Sequence, residues 1–372
     1  MLLLIMPLVV LLSCADSVVN ESDMQAGMSI DLTEQRSEGK MQHLVVNPGE
    51  SIQAAVDLAE NGGVIHIMPG HYVEGITVTS PNIRIMGMKG PGGAGVVIEN
   101  PGSVNNGINV RHGAHNFALS HVTVQGFNRN GVFLIGVDGF DIRHVVARDN
   151  FAYGIYPVFS SNGVVSHCTA SGHEDAGFYV GQASDIKMMH NVAYDNVIGF
   201  EVSNSDDIVV SHNQAYNNSA GILAALLPGR TITETNRITI TQNSIYDNNL
   251  PNFAEGGLAA GVPKGSGILA VGIDGSVIEK NTVTGNEFLG IALASSVVLG
   301  LLAGVPPELF AGLEPDPDRN IIRKNTVTGN GTVQPPIPFP ASDLLWDGSG
   351  DDNCWEKNEY NSSFPDNLPS CS

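Results

Sequence analysis

Four side chains stand at spacings that could serve acid–base chemistry on a sugar. Tyr156 and Tyr179 lie 23 residues apart and Glu201 follows 22 later. His173 falls between the tyrosines in "SGHEDAG", beside Glu174 and Asp175. A tyrosine that gives a proton, a histidine that takes one and a carboxylate that holds Ca²⁺ would make a workable lyase set. Solvated turn charge is the plainer account of that stretch, because turns commonly carry such residues. The tyrosines admit a second use. With Asn109, Arg111, Phe133 and Glu201 they would form a binding strip, on which rings pack against the apolar face of a pyranose and polar neighbours fix its orientation. A column of aromatics can also do no more than steady adjacent strands.

A second column is made of imidazoles. His121, His144, His167, His190 and His212 recur at intervals of 23, 23, 23 and 22 residues. Such a row could bind copper or zinc. Metal ligands converge on one point, however, and a row offers parallel side chains, which favours stacking.

These residues are positioned by a repeat. Segments open "GINVR" at Gly107, "GVFLI" at Gly131, "GIYPV" at Gly154, "GFYVG" at Gly177, "GFEVS" at Gly199, "GILAA" at Gly221, "GILAV" at Gly267 and "GIALA" at Gly290. The spacing is 22 to 24 residues apart from one step of 46, which reads as one coil carrying two insertions. A period of this size with apolar alternation inside each unit marks a solenoid of strands. One unit cannot bury its own face, so neighbours must stack. Counting from each glycine, positions +1 and +3 point inward, as Ile155 and Pro157 or Phe178 and Val180 do, and +2 and +4 point outward. The +2 column therefore sets Asn109, Phe133, Tyr156, Tyr179 and Glu201 in line, with Arg111 at a +4 position. Asn191, Asn213, Asn243, Asn281 and Asn325 mark a turn in register, with Val145 and Cys168 earlier in the same slot. Upstream, Ile52, Ala55, Val56 and Leu58 pattern a short helix that would cap the open end of the stack. The insertion at 295–318 carries an apolar run that predicts a short helix folded over the groove or onto a partner.

Composition bounds the partners and the compartment. Lys and Arg number 17 against 38 Asp and Glu, a formal net charge of −21, which argues against nucleic acid and against unassisted binding of polyanions. The first residues, "MLLLIMPLVVLLSCADS", have an apolar run too short to span a bilayer and suited to a signal peptide. No Lys or Arg precedes the run. Cleavage near Ala15 is the alternative to lipidation. The polar, acidic stretch that follows reads as a tether. Export permits a Cys354–Cys371 disulfide in the tail, whereas Cys168 reads as a small buried residue.

Two sets of residues carry resemblances. "LLSC" resembles the bacterial lipobox, which implies lipidation at Cys14. "IQAAVDLAENGGVIHIMPGHYVEG", followed by glycine-initiated coils with asparagine ladders, resembles the right-handed parallel β-helix of the pectin-lyase-like superfamily over roughly 43–330. Within it, "DAGFYVGQ" and "NVIGFEVSNSDDIVVSHNQAYNNSAGIL" resemble bacterial parallel β-helix repeat lipoproteins. The resemblance implies an all-β solenoid at 43–340, a short N-terminal capping helix and a loop-rich C-terminal cap at 341–372, after a leader at 1–13 and a tether at 14–42. Mannuronan epimerases of this fold carry a "YGIDPHD"-like strand, and here "YGIYPVF" aligns with it. Tyr153, Gly154, Ile155 and Pro157 fit, but Tyr156, Val158 and Phe159 replace the Asp, His and Asp, so the proton-transfer pair is gone. The copper-accessory NosD proteins share the fold. Three readings remain: an envelope lipoprotein, attached to the membrane only by its lipid, that binds a polysaccharide or a partner envelope protein; a uronate lyase or epimerase, with Ca²⁺ possible; and a periplasmic metal-handling protein.

Overall fold

The computed structural model describes residues 42–59 and 62–372. The leader, the tether up to residue 41 and Cys14 lie outside the described residues. Three sheets run the length of the molecule, and every strand pairing within them is parallel. The first sheet has 12 strands and the other two have 11 each. The chain visits them in rotation, so Asp138–Arg143 lies in the first sheet, Val146–Arg148 in the second and Tyr153–Val158 in the third. The glycine-initiated segments are the strands of the third sheet.

Alternation decides which side chains meet inside. Ile155, Phe178, Val180, Phe200 and Val202 are at most 1% exposed and share one apolar cluster that extends from Leu44 to Trp355. Stacking one coil on the next buries these rows continuously, and burial of apolar surface is the main stabilising term. The glycine before each strand has a separate cause. A Cβ on Gly154 would lie 2.4 Å from the Gly177 carbonyl oxygen and 3.0 Å from the Ala170 Cβ, so only hydrogen fits there.

The corners use left-handed backbone. His121, His144, His167, His190 and His212 all have φ between 53° and 58° at the turn from the first sheet to the second. The residue after each corner turns its side chain inward, and the expected asparagine ladder is found there. Asn191, Asn213, Asn243 and Asn281 each donate an Nδ2–H to the Oδ1 of the next member, at 2.9 to 3.1 Å. Cys168 occupies the slot with its backbone N–H on Asn191 Oδ1, and burial pushes its thiol up to about 12.

The ends bear on the sequence boundaries. A helix forms over Ile52–Leu58, its first turn closed by Ser51 Oγ and by the Glu74 carboxylate, which accepts from the Ile52 and Gln53 N–H groups. The segment expected as a loop-rich cap carries strands of all three sheets: Ser342–Trp346, Cys354–Glu356 and Glu359–Tyr360 pair with the coil before. The stack therefore runs past residue 340, and Cys354 and Cys371 are bonded beyond that point. Among the described residues no helix is long and apolar enough to cross a membrane.

Candidate functional site

The outer face of the third sheet holds the strip that the register predicts. Asn109 pairs with Phe133, Phe133 with Tyr156, and Tyr179 with Glu201 across adjacent strands. The Phe133 and Tyr156 rings are 5.2 Å apart at their centroids, and those of Tyr156 and Tyr179 are 4.6 Å apart. Tyr153 joins them from the first position of the Tyr156 strand, 4.6 Å from Tyr156 and 5.0 Å from Tyr179. Arg111 is exposed at the edge.

The strip is not open along its length. Asn109, Phe133 and Tyr156 keep part of their surface accessible, while Tyr179 is 4% and Glu201 5% exposed. Beyond them Leu223, Leu269 and Ala292 face outward from the sheet yet are buried in a second apolar cluster. That cluster includes Leu227, Ala259, Val262 and Leu299, supplied by the insertions after Gly221 and Gly290. The insertions thus roof most of this face. The predicted short helix of the 295–318 insertion forms over Ser296–Leu302, and its Leu299 belongs to the roof.

Where strip and roof meet, titratable groups gather. The Tyr153 hydroxyl donates to Asp175 Oδ2 at 2.6 Å, and the Tyr179 hydroxyl bonds Ser203 Oγ at 2.5 Å. The Glu201 and Asp175 carboxyls neighbour one another, and each acts on the other's charge. Burial raises both carboxyls. Asp175 reaches about 6, and Glu201 stands well above the usual range, pushed further by the Asp175 charge. Such a pair shares a proton, because two neighbouring ionised carboxylates repel. The charge of Arg230, from the insertion after Gly221, acts against the rise of both carboxyls and is felt by the three tyrosines. Its loop is tied down by Gln182 Oε1, which accepts from the Thr231 and Ile232 N–H groups, and by Asn204.

His173 is placed elsewhere. Its ring is fully buried inside the coil, with Nδ1 2.8 Å from the Asn150 carbonyl and Nε2 3.2 Å from that of Ala147. It fills a second interior ladder whose other members include Asn150, Asn196 and Asn218, and its backbone N–H donates to Asn196 Oδ1. The left-handed Gly172 (φ 77°) turns the side chain inward, away from Tyr156 and Tyr179, so it cannot act as their base. Sequence reasoning overlooked Tyr153 and Arg230. The Tyr153 signal was its match within "YGIYPVF"; Arg230 lies in an insertion that follows no period.

All strands run parallel around one interior, and residues 93–227 match the family model described as a right handed beta helix region. The chain is a right-handed parallel β-helix. Solved structures agree along most of its length. The A-module of a mannuronan C-5 epimerase from Azotobacter vinelandii is 19% identical, with 83% of this chain and 90% of that one covered at a TM-score of 0.57. A DFA-IIIase from Arthrobacter chlorophenolicus without its lid is 11% identical, with 85% and 94% covered at 0.55. A periplasmic alginate epimerase is 13% identical, with 85% and 77% covered at 0.50. At these identities the likeness is one of fold. No curated protein matches the sequence.

In this β-helix the histidine column forms the stack expected of one residue per coil, with centroids 4.7 to 5.1 Å apart from His121 to His212. The rings lie side by side rather than around a point. Among the described residues no three His, Cys, Asp or Glu side chains are grouped to hold a metal ion. Lost hydration, then the charge of neighbouring rings, holds His144 and His167 below the ordinary histidine range. A ring depressed in the folded state takes up protons preferentially when unfolded. Its stability contribution is therefore complete above about pH 6.5 and drains away as pH falls below that. His167→Asn, which keeps a residue tolerant of left-handed backbone, should flatten that acid loss and leave stability at about pH 8 unchanged. Urea midpoints across the window test this; equal slopes for parent and variant would show that the His167 ring does not carry the acid loss.

Proposed function

We propose that the chain is an exported cell-envelope protein that binds a glycan through Asn109, Phe133 and Tyr156, with Tyr179, Glu201, Arg230 and Arg111 as polar and aromatic borders. One observation carries the reading: a partly accessible aromatic row ends against a preorganised tyrosine, carboxyl and guanidinium cluster. That is the mix of flat apolar surface and fixed polar groups a sugar needs. The fold neighbours add support, since two of them are named as mannuronan or alginate epimerases. The overall acidity does not settle the charge of the ligand. The cations placed at the strip are Arg111 at its open edge and Arg230 at the roof.

Turnover by a lyase or epimerase is a second reading, favoured by the proton held between Glu201 and Asp175 beside Tyr153 and Tyr179. It supplies an acid but leaves the base unassigned now that His173 is inside the coil, and Ca²⁺ enters only with this reading. Tyr156→Ala is the deciding variant for binding. It should weaken glycan affinity about tenfold, the scale of one lost aromatic contact, with little change in melting temperature because the ring is partly exposed. Calorimetric titration with uronate and neutral polysaccharides, read beside NMR of the same mixtures, gives the answer. Unchanged affinity in the variant would remove the strip from the account, and new unsaturated or epimerised sugar signals would establish turnover. Lipid attachment at Cys14 belongs to the same proposal. Cys14→Ser should release the protein from the membrane fraction, and its retention there would refute the anchor.

A further inference from the structure

We infer that the strip is a blind groove that receives the end of a glycan chain rather than a stretch from its middle. The inference rests on the binding reading above and adds a substrate class to it. A ligand lying along the row meets accessible surface at the exposed Thr77, which pairs with Asn109, and then at Asn109, Phe133 and Tyr156. One coil further on, Tyr179 is 4% exposed, and after it come Glu201 at 5% and Leu223 at 1%. What covers them is protein, because Leu223 packs in one cluster with Leu227, Val262 and Leu299 of the roof. From Asn109 to Tyr156 is two coil steps, on the order of 10 Å, which accommodates a few sugar rings before the roof stops the chain.

Two polar atoms along the row are unmatched. Towards the mouth, Asn109 Oδ1 is buried without a donor. At the closed end, Arg230 Nε is buried without an acceptor, on a loop fixed by Gln182 and Asn204. Folded proteins rarely leave such groups unpaired, and a ligand that pairs them gains from it. A hydroxyl arriving at Asn109 would donate, and an oxygen arriving at Arg230 would accept. An interior sugar must pass its chain onward through its linkage oxygen, into the space that the roof fills. A terminal sugar carries a free hydroxyl at that position, and its oxygen can meet the guanidinium.

The test titrates the full chain by calorimetry with size-fractionated uronic-acid and neutral glucan oligomers and with their parent polymers. End recognition predicts one protein per chain and an affinity per chain that does not change with length. It also predicts at least a tenfold loss when the terminal hydroxyls at both ends of the oligomer are methylated. Arg230→Ala should reproduce that loss, and methylation supplies the same information should the variant fold poorly. Stoichiometry or affinity per chain that climbs with length would overturn the blind groove and leave glycan binding standing. Absence of binding to every probe would instead bring down the binding reading, and this inference with it.

Discussion

Glu201→Gln is expected to make the protein more stable than its parent at about pH 8, by on the order of 2 kcal/mol, and no more stable at about pH 4. The reasoning starts from the shared proton. Asp175 reaches about 6 and Glu201 stands well above its ordinary range, mainly through burial, so the folded state binds protons that the unfolded chain releases near pH 4. Where the folded state holds more protons, stability falls as pH rises, and this pair's contribution is lost through the window from about 4 to about 6 and above. With one proton between them the two carboxyls carry a single negative charge, which Arg230 matches; without it the site holds an unbalanced charge among Tyr153, Tyr156 and Tyr179. Glutamine offers a permanent N–H to Asp175 in place of the shared proton, so the aspartate ionises at less cost. Melting temperature against pH for parent and variant reads the difference. A variant less stable than its parent at every pH would show that Glu201 is ionised in the fold and serves as the partner of Arg230.

Much of this molecule is legible in its sequence because a coil repeats its reasons. Glycine recurs where the neighbouring coil's backbone leaves no room for a Cβ, and the alternation after it assigns each side chain to the inner or outer face. The line of Asn109, Phe133, Tyr156, Tyr179 and Glu201 followed from that count, and the pairing of strands reproduces it. The count gives direction, not exposure. Tyr179 and Leu269 point outward as expected and are buried all the same, because the insertions after Gly221 and Gly290 bring their own apolar residues to that face. Those insertions follow no period, so neither the roof nor Arg230 could be placed from spacing. His173 is a different case, since the signal was present. Asn150 lies 23 residues before it and Asn196 23 after, which puts His173 in an asparagine column. Reading it as part of a solvated turn overlooked the rule that a left-handed corner sends the next side chain inward.

The interior ladder carries the larger stability prediction. Asn213 Oδ1 accepts both the backbone N–H and the Nδ2–H of Asn191, at 2.9 and 3.1 Å, and its own Nδ2 donates to the Met188 carbonyl and to Asn243 Oδ1. The residue is 1% exposed, so water cannot replace these partners. Asn213→Ala leaves the Asn191 N–H buried and unpaired, at about 1–3 kcal/mol, and removes three further bonds worth about 1 kcal/mol each, for a total on the order of 4–6 kcal/mol. The coil geometry amplifies the damage, since each coil is held only by its neighbours and a fault at mid-stack separates the two halves. Asn217→Ala is the matched control. Asn217 stands on the left-handed backbone of a corner, at φ 52°, and is exposed, and its side chain bonds only Asp195 among the hydrogen bonds seen. Its loss should cost about 1 kcal/mol or less. Chemical unfolding of the two variants separates the interior ladder from the exposed corner. Equal, small effects would mean that the interior asparagines are held by the packing around them rather than holding it.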